Sequence, residues 1–565
     1  MLLAVALLAF LTITGRLVVL QVLDSGSLTH AAARQRLRTI ELPADRGWIF
    51  DRNGNHLALS VPARTVYAQP RLVSDPQATA AKLAPLLGEP AAAVLARLRA
   101  GTPWTYLARR IPVASGDQVA KLRLPGIGVL NDTARLYPAK SLAAQVLGFV
   151  GDDGKGLAGV EAQYDELLRG HPGQLLLEQD PSGRPIPQGN RSVEPAEPGT
   201  DVVLTLDEDL QYQAEQALAA AVKASKAKGG SLVAMDPRSG DLLALANMPT
   251  FDPNHFSRAT PAQITNRAIS NVYEPGSTSK TVTAAAALER RVVTPSTPVT
   301  VPPSLGLCPG KVVHDAEAHG TETLTFGQVV ARSSNIGTIE VAQRLGRDQL
   351  VQAEQAFGYG RRTGAGMPGE SAGILNPVAD WHCTDWVNAI GQGVAVTVLQ
   401  MTRVYATVAN GGVMVEPRLL KGTIDAAGRL NPAPASPRRR VVSAATAKTL
   451  TTILEGVVKP GGTAPAAALA DWTVAGKTGT AQKPGPDGHY LPGKFVASFI
   501  GFAPAEHPAV VIAVVIDEPT AGSHFGGAVA APVFRQVAGY ELHHLGIPPT
   551  IRTPPSCATP QAIPC

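Results

Sequence analysis

Two serine–lysine tetrapeptides stand in this chain, Ser225-Lys-Ala-Lys228 and Ser277-Thr-Ser-Lys280. A serine hydroxyl attacks a carbonyl only after a base removes its proton. A lysine amine serves as that base once desolvation or a nearby cation lowers its pKa. Spacing of three on a helix places hydroxyl and amine on one face. The pattern alone is weak, because average composition yields about two such tetrapeptides by chance in a chain this long. Context separates the two copies. Pro275-Gly276 precedes Ser277 and the Ala-rich residues 282–288 follow it, so Ser277 opens a helix. A helix N-terminus favours the negative charge that develops during attack. Ser225 falls at the polar end of a helix and reads as solvated surface.

Two further motifs follow in the same region. In Ser333-Ser-Asn335 a hydroxyl and a carboxamide two residues apart can project from a tight turn into a cleft. The hydroxyl would relay a proton to a leaving amine and the amide would bind a carbonyl; the plain alternative is a helix cap or Asx turn. Lys477-Thr-Gly-Thr480 lies inside an expected strand. Gly479 leaves room for a bound peptide backbone, while Thr478 and Thr480 offer hydroxyls to a terminal carboxylate. Lys477 adds positive charge near that carboxylate and near Lys280, helping to keep Lys280 neutral. The alternative is a lysine guarding a sheet edge against aggregation. Order, helix–loop–strand context and confinement to one region together make chance the poorer explanation.

The surrounding elements must hold these motifs in place. Residues 202–206 read as a strand, and Asp207 caps a helix with Leu210, Ala214, Leu218 and Val222 at every fourth position. Residues 231–235 and 242–246 flank Pro237-Arg-Ser-Gly240 as a hairpin. Residues 473–481, 495–502 and 510–516 read as three more strands, and 530–540 as a closing helix. Strands from both ends with helices between them predict an α+β fold: an antiparallel sheet with a helical insertion. Prolines and glycines at 184–200 mark a domain boundary. Before it, Arg46-Gly-Trp-Ile-Phe-Asp-Arg-Asn-Gly54 reads as a hairpin, residues 75–125 as helical and 160–168 as an amphipathic helix.

At 565 residues the chain calls for two or three domains. Fifty basic against 45 acidic residues give a formal charge of only +5, and no basic run interleaves with aromatics, which excludes nucleic-acid binding. Arg438-Arg439-Arg440 reads as a solvated loop. Residues 1–14 are apolar and uncharged, and 17–23 continue after Arg16, which can snorkel to the interface. No small-residue cleavage site follows, so an uncleaved anchor is expected. Residues 29–38 are expected to continue as a helix, with everything beyond residue 24 on the outer side of the membrane. Cys308, Cys383, Cys557 and Cys565 allow three pairings; Cys308–Cys383 with Cys557–Cys565 is preferred, with free thiols as the alternative.

The three motifs in this order resemble the signature of penicillin-binding proteins and class A β-lactamases. The chain resembles class B penicillin-binding proteins, most closely the FtsI-type septal transpeptidases, over nearly its whole length. Besides the motifs, the likeness rests on Arg135-Leu-Tyr-Pro138, Gly156-Leu-Ala-Gly-Val-Glu161, Tyr273-Glu-Pro-Gly-Ser277, Phe357-Gly-Tyr-Gly360, Pro368-Gly-Glu370 and Gly391-Gln-Gly393. Ser498-Phe-Ile-Gly-Phe-Ala-Pro504, Ile516-Asp-Glu-Pro519 and Gly526-Gly-Ala-Val-Ala-Ala-Pro-Val-Phe534 carry the septal character. The family usually has a basic segment ahead of its anchor, so the true start is expected upstream of Met1.

The resemblance implies a membrane anchor at 1–23, a non-catalytic pedestal at 24–195, a transpeptidase domain at 196–550 and a tail at 551–565. It implies Ser277 as the acylated nucleophile, Lys280 as base, and Ser333 and Asn335 assisting protonation and binding. Lys477, Thr478, Gly479 and Thr480 would hold a D-Ala-D-Ala donor, with the Ser277 and Thr480 N–H groups as oxyanion hole. Tyr490 and His489, in the loop after the third motif, are expected to wall the site. No cofactor or metal is implied. Partners would be peptidoglycan stem peptides, β-lactams as covalent inhibitors, and an FtsW-like SEDS glycosyltransferase with other division proteins. The alternatives are an elongation-type transpeptidase, a D,D-carboxypeptidase or β-lactamase, a β-lactam sensor, or a structural scaffold.

Overall fold

Apolar residues at almost every position of a strand require cover on both faces, and this pattern builds the centre of the larger unit. In a computed structural model describing residues 1–23, 37–178, 186, 189, 191–425, 427–485, 487 and 489–551, Val510–Asp517 is buried throughout except at Asp517. It lies mid-sheet in the order Leu242–Met248, Gly229–Met235, Val510–Asp517, Tyr490–Ala503, Ala475–Pro484, with all neighbours antiparallel. Both ends of the domain thus supply strands, as the α+β reading expected. Helices Glu208–Ala224 and Ala531–His544 bring Leu210, Leu218, Phe534 and Val537 into one core with Phe499 and Ile512. Asp207 caps the first helix, its carboxylate accepting from Leu210 N at 3.1 Å. Ala475–Pro484 ends the sheet, paired on one side only among the described strands.

By its contacts the chain forms two units. One comprises 1–48, 59–136 and 166–200, the other 49–58, 137–165 and 201–565. Within the second, the hairpin expected near residue 50 forms, with Ile49 opposite Ala58 and Phe50 opposite His56. Asp51 closes it by accepting from the N–H groups of Asn53 and Asn55, both at 2.8 Å, and from Glu208 N at 3.1 Å. In the first unit, strand residues 59–68 pair with Ile127–Leu136 and, from Ala63 onward, with Thr105–Pro112. Helices Pro76–Leu87 and Ala91–Leu98 cover them through Leu83, Val94 and Leu98, which share one core with Leu107 of the strand.

Three expectations differ from the structure. Residues 75–125 are not helical throughout, because Thr105–Pro112 is a strand whose cross-strand pairing overrides the helix preference of its Ala and Arg residues. The helix expected at 160–168 is two short ones, Gly159–Gln163 and Asp165–Arg169. Arg438–Arg440 is an exposed strand paired with Val413–Val415 rather than a loop. The helix expected at 29–38 falls mostly outside the described residues, and Leu37–Leu42 is a strand. At the N-terminus, Leu2–Val22 forms an apolar helix of 21 residues with no buried residue, long enough to cross a membrane. Cys308 and Cys383 form a disulfide with Cα atoms 5.9 Å apart; Cys557 and Cys565 lie outside the described residues.

Candidate active site

Proline and glycine ahead of Ser277 shape the turn that presents it. Gly276 adopts φ +54° and its N–H donates to the Gly391 carbonyl at 3.0 Å. Gly391, at φ +76°, sits so close that a Cβ there would stand 2.2 Å from Gly276 O, so only glycine fits. Ser277 occupies the 3₁₀ turn Gly276–Ser279, which runs on into helix Lys280–Glu289. Two buried tyrosines brace that junction. Tyr405 Oη donates to the Thr278 carbonyl at 2.9 Å and lies 2.8 Å from Thr281 Oγ1, while Tyr359 Oη lies 2.9 Å from Ser279 Oγ.

Lys280 is fully buried. Its Nζ donates to Ser333 O and Asn335 Oδ1, each at 2.7 Å, and to Ser333 Oγ at 3.3 Å. Ser333 takes the left-handed conformation at φ +63°, strained for a residue with a side chain and typical of functional turns. The following residue, Ser334, caps helix Asn335–Leu345. Burial pushes the Lys280 pKa down to about 7, with the Asp315 charge pulling the other way. Neutral amine is therefore available near neutrality, as a base requires.

Lys477 is also fully buried, and its pKa is held well below the ordinary lysine range, first by burial and then by the charge of Lys280. Desolvation is the first cause of both shifts, and the repulsion between the two amines acts with it. Thr478 Oγ1 lies 2.8 Å from Thr463 Oγ1, and Thr480 Oγ1 accepts from Gly526 N at 3.2 Å. Gly479 makes a close contact within the protein itself. A Cβ there would stand 2.3 Å from Ser498 Oγ and 3.0 Å from Pro275 O. The glycine thus lets the edge strand seat against the segment carrying Ser277.

A cavity of about 210 Å³ opens where these elements meet, lined by Ser277, Asn335, Thr480, Gln392, Lys311 and His314 among others. Tyr490 and His489 do not line it. Tyr490 Oη instead donates to Glu274 at 2.8 Å, and the other Glu274 oxygen accepts from Gly393 N at 2.7 Å. That pair ties the loop after the third motif to the residues just ahead of Ser277. Ser225 is buried and its hydroxyl donates to Ala221 O at 2.7 Å, so it is a helix-end serine rather than solvated surface.

Sequence reasoning missed Asp315, Glu274, Tyr359 and Tyr405 as contributors to the site. Glu274 and Tyr359 lie inside the family-like stretches Tyr273-Glu-Pro-Gly-Ser277 and Phe357-Gly-Tyr-Gly360, and that likeness is the sequence signal that marks them. Tyr405 sits in a long apolar helix and Asp315 in a polar loop, and neither has a local pattern that marks it.

A serine at a helix start, two desolvated lysines and an open sheet edge around one cavity are the working parts of a serine acyltransferase. The penicillin binding protein transpeptidase domain matches residues 230–539, and the penicillin-binding protein dimerisation domain matches 41–204. The chain belongs to the penicillin-binding protein transpeptidase family. It is 37% identical to penicillin-binding protein PbpB of Mycobacterium tuberculosis, across 96% of this chain and 84% of that protein. Peptidoglycan D,D-transpeptidase FtsI of Escherichia coli is 34% identical across 97% of this chain and 92% of its own length. The crystal structure of penicillin binding protein 3 from Mycobacterium tuberculosis, complexed with aztreonam, superposes with a TM-score of 0.72 at 33% identity, covering 91% of this chain and 98% of that one.

Proposed function

We propose that this chain is a peptidoglycan D,D-transpeptidase that cross-links stem peptides during septal wall synthesis and is covalently inhibited by β-lactams. The observation that carries the reading is the convergence of Lys280 Nζ on Ser333 and Asn335 beside the cavity that holds Ser277 and Thr480. On this reading Ser277 Oγ gives its proton to neutral Lys280 and attacks the penultimate D-alanine carbonyl of a donor peptide. The C–N bond then breaks, and terminal D-alanine leaves with a proton relayed through Ser333. An acceptor amine from a second peptide attacks the ester, which releases Ser277 and forms the cross-link. Asn335 binds the donor backbone, and Lys477, Thr478 and Thr480 receive its terminal carboxylate. Backbone N–H groups of Ser277 and Thr480 face the oxyanion. Gly479 permits this edge strand its place, and Tyr490 acts through Glu274.

The proposed division is an anchor at 1–23, a pedestal at 24–195, a catalytic domain at 196–550 and a tail at 551–565. The apolar N-terminal helix supports single-pass anchoring, and we place the catalytic domain on the extracytoplasmic side, where its substrate lies. An FtsW-like SEDS glycosyltransferase is the proposed membrane partner; the likeness to FtsI-type proteins supports it. Fluorescent penicillin tests the chemistry. Wild type should be labelled, and Ser277→Ala should lose the label entirely while keeping its thermal transition. Labelling that survives Ser277→Ala would place the nucleophile elsewhere.

A further inference from the structure

Residues 314–320 pass beside the Ser333 turn, directly after the hairpin strands Leu305–Cys308 and Lys311–Val313. Asp315 uses both carboxylate oxygens there. Oδ1 accepts from Asn335 N at 2.5 Å and Ile336 N at 3.0 Å, and Oδ2 accepts from Ser334 Oγ at 2.7 Å. Three consecutive residues of the turn that offers Ser333 and Asn335 to Lys280 therefore hang on one side chain. The two N–H groups are orphan donors at the start of helix Asn335–Leu345, which a carboxylate satisfies with charge assistance.

The same carboxylate draws the Lys280 pKa upward against the pull of burial. Lys477, its pKa also held low, is the other titratable amine that interacts with Lys280. His319 Nε2 faces Asp315 at 3.2 Å. Glu322, paired with Arg332 at 2.9 Å, lies 3.9 Å from His319 Nδ1. The Asn335 amide adds Nδ2, which donates to the His314 carbonyl at 2.9 Å, so the segment and the turn hold each other along two adjacent residues.

We propose that Asp315 is a positioning residue for acyl transfer: it fixes the turn that carries Ser333 and Asn335, and it supplies the counter-charge for Lys280 while that lysine holds the proton taken from Ser277. The proposal rests on the roles assigned above to Ser277 and Lys280. As Ser277 Oγ bonds to the acyl carbon, its proton passes to Lys280 Nζ, and a buried ammonium forms. A buried cation needs an opposing charge, and Asp315 is the opposing charge that acts on it. Loss of that charge weakens the base and also frees the turn.

The second-order rate of acylation by a penicillin, measured on the full chain in detergent across neutral pH, tests this. In wild type the rate should climb through about pH 7 as Lys280 loses its proton. Asp315→Asn, nearly isosteric, should move that limb to lower pH by about 1 and lower the plateau about 10-fold. Asp315→Glu should bring the limb back toward its wild-type position. A lowered plateau with an unmoved limb would leave Asp315 a purely structural residue and overturn the proposal. So would an equal shift in His319→Gln with none in Asp315→Asn, or loss of the native thermal transition in both Asp315 variants. If wild type itself takes no label at Ser277, the functional reading fails first, and this inference falls with it.

Discussion

The two serine–lysine tetrapeptides are alike in pattern and opposite in circumstance. Ser225 ends helix Glu208–Ala224, its hydroxyl turned back to Ala221 O at 2.7 Å and its carbonyl accepting from Thr520 N and Ala521 N at 2.9 and 2.8 Å. Lys228 is largely exposed and pairs with Glu518 at 3.6 Å. Ser277 instead sits at the start of a helix and lines a cavity, and Lys280, three residues on, is fully buried. A helix end consumes a serine hydroxyl locally, whereas a helix start leaves it free and favours the anion. On the proposed reading, the reactivity of Ser277 comes from position along a helix and from burial of Lys280, neither of which the tetrapeptide encodes.

Substituting the lysines should give the widest separation. Lys280→Met should lower penicillin acylation about 1,000-fold, because the base is lost, while Lys228→Met should stay within about twofold; equal losses would erase the distinction. Gly479→Ala sharpens the account of what seats Ser277. Its Cβ would meet Ser498 Oγ at 2.3 Å and Pro275 O at 3.0 Å, so thermal unfolding should show a loss of about 1–3 kcal/mol, with acylation reduced as well. An alanine with wild-type stability and rate would mean the edge strand tolerates displacement. The smallest effect belongs to Ser225→Ala. It should remove about 0.5–1 kcal/mol of stability and leave acylation at its wild-type rate; any loss of labelling would reopen Ser225 as a chemical group.

Much of this could be read before any coordinates. The five strands, the Asp207-capped helix and the Ser277 helix start all carry local signals: alternation or continuous apolar runs, a capping residue, a Pro-Gly break. The strand Thr105–Pro112 carries a mixed signal, since Thr105, Tyr106 and Ile111 favour strand while its Leu, Ala and Arg residues favour helix, and pairing with residues 63–68 decides the matter. The site divides in the same way. Ser277, Lys280, Asn335 and Thr480 announce themselves by motif, but Asp315 is an ordinary loop aspartate until folding brings it to Asn335 N. Gly479 is legible as a residue that must be small, and the structure adds a reason in Pro275 and Ser498, far away in sequence. Similarly, the lowered pKa of both Lys280 and Lys477 depends first on desolvation, a property of the assembled interior.

The Cys308–Cys383 bond has a consequence for when this enzyme becomes complete. It closes a loop of 75 residues that contains Asp315, Ser333 and Asn335, and it joins the hairpin beside the cavity to the segment Cys383–Ile390 leading into Gly391. In the chain-entropy picture such a closure is worth about 4 kcal/mol against the unfolded ensemble. A thiol pair of this kind stays open in a reducing cytoplasm and closes in an oxidising compartment. On the proposed placement of the catalytic domain outside the membrane, export itself would be the final maturation step. The polypeptide would cross as a looser chain and acquire its last staple on the side where its chemistry is needed.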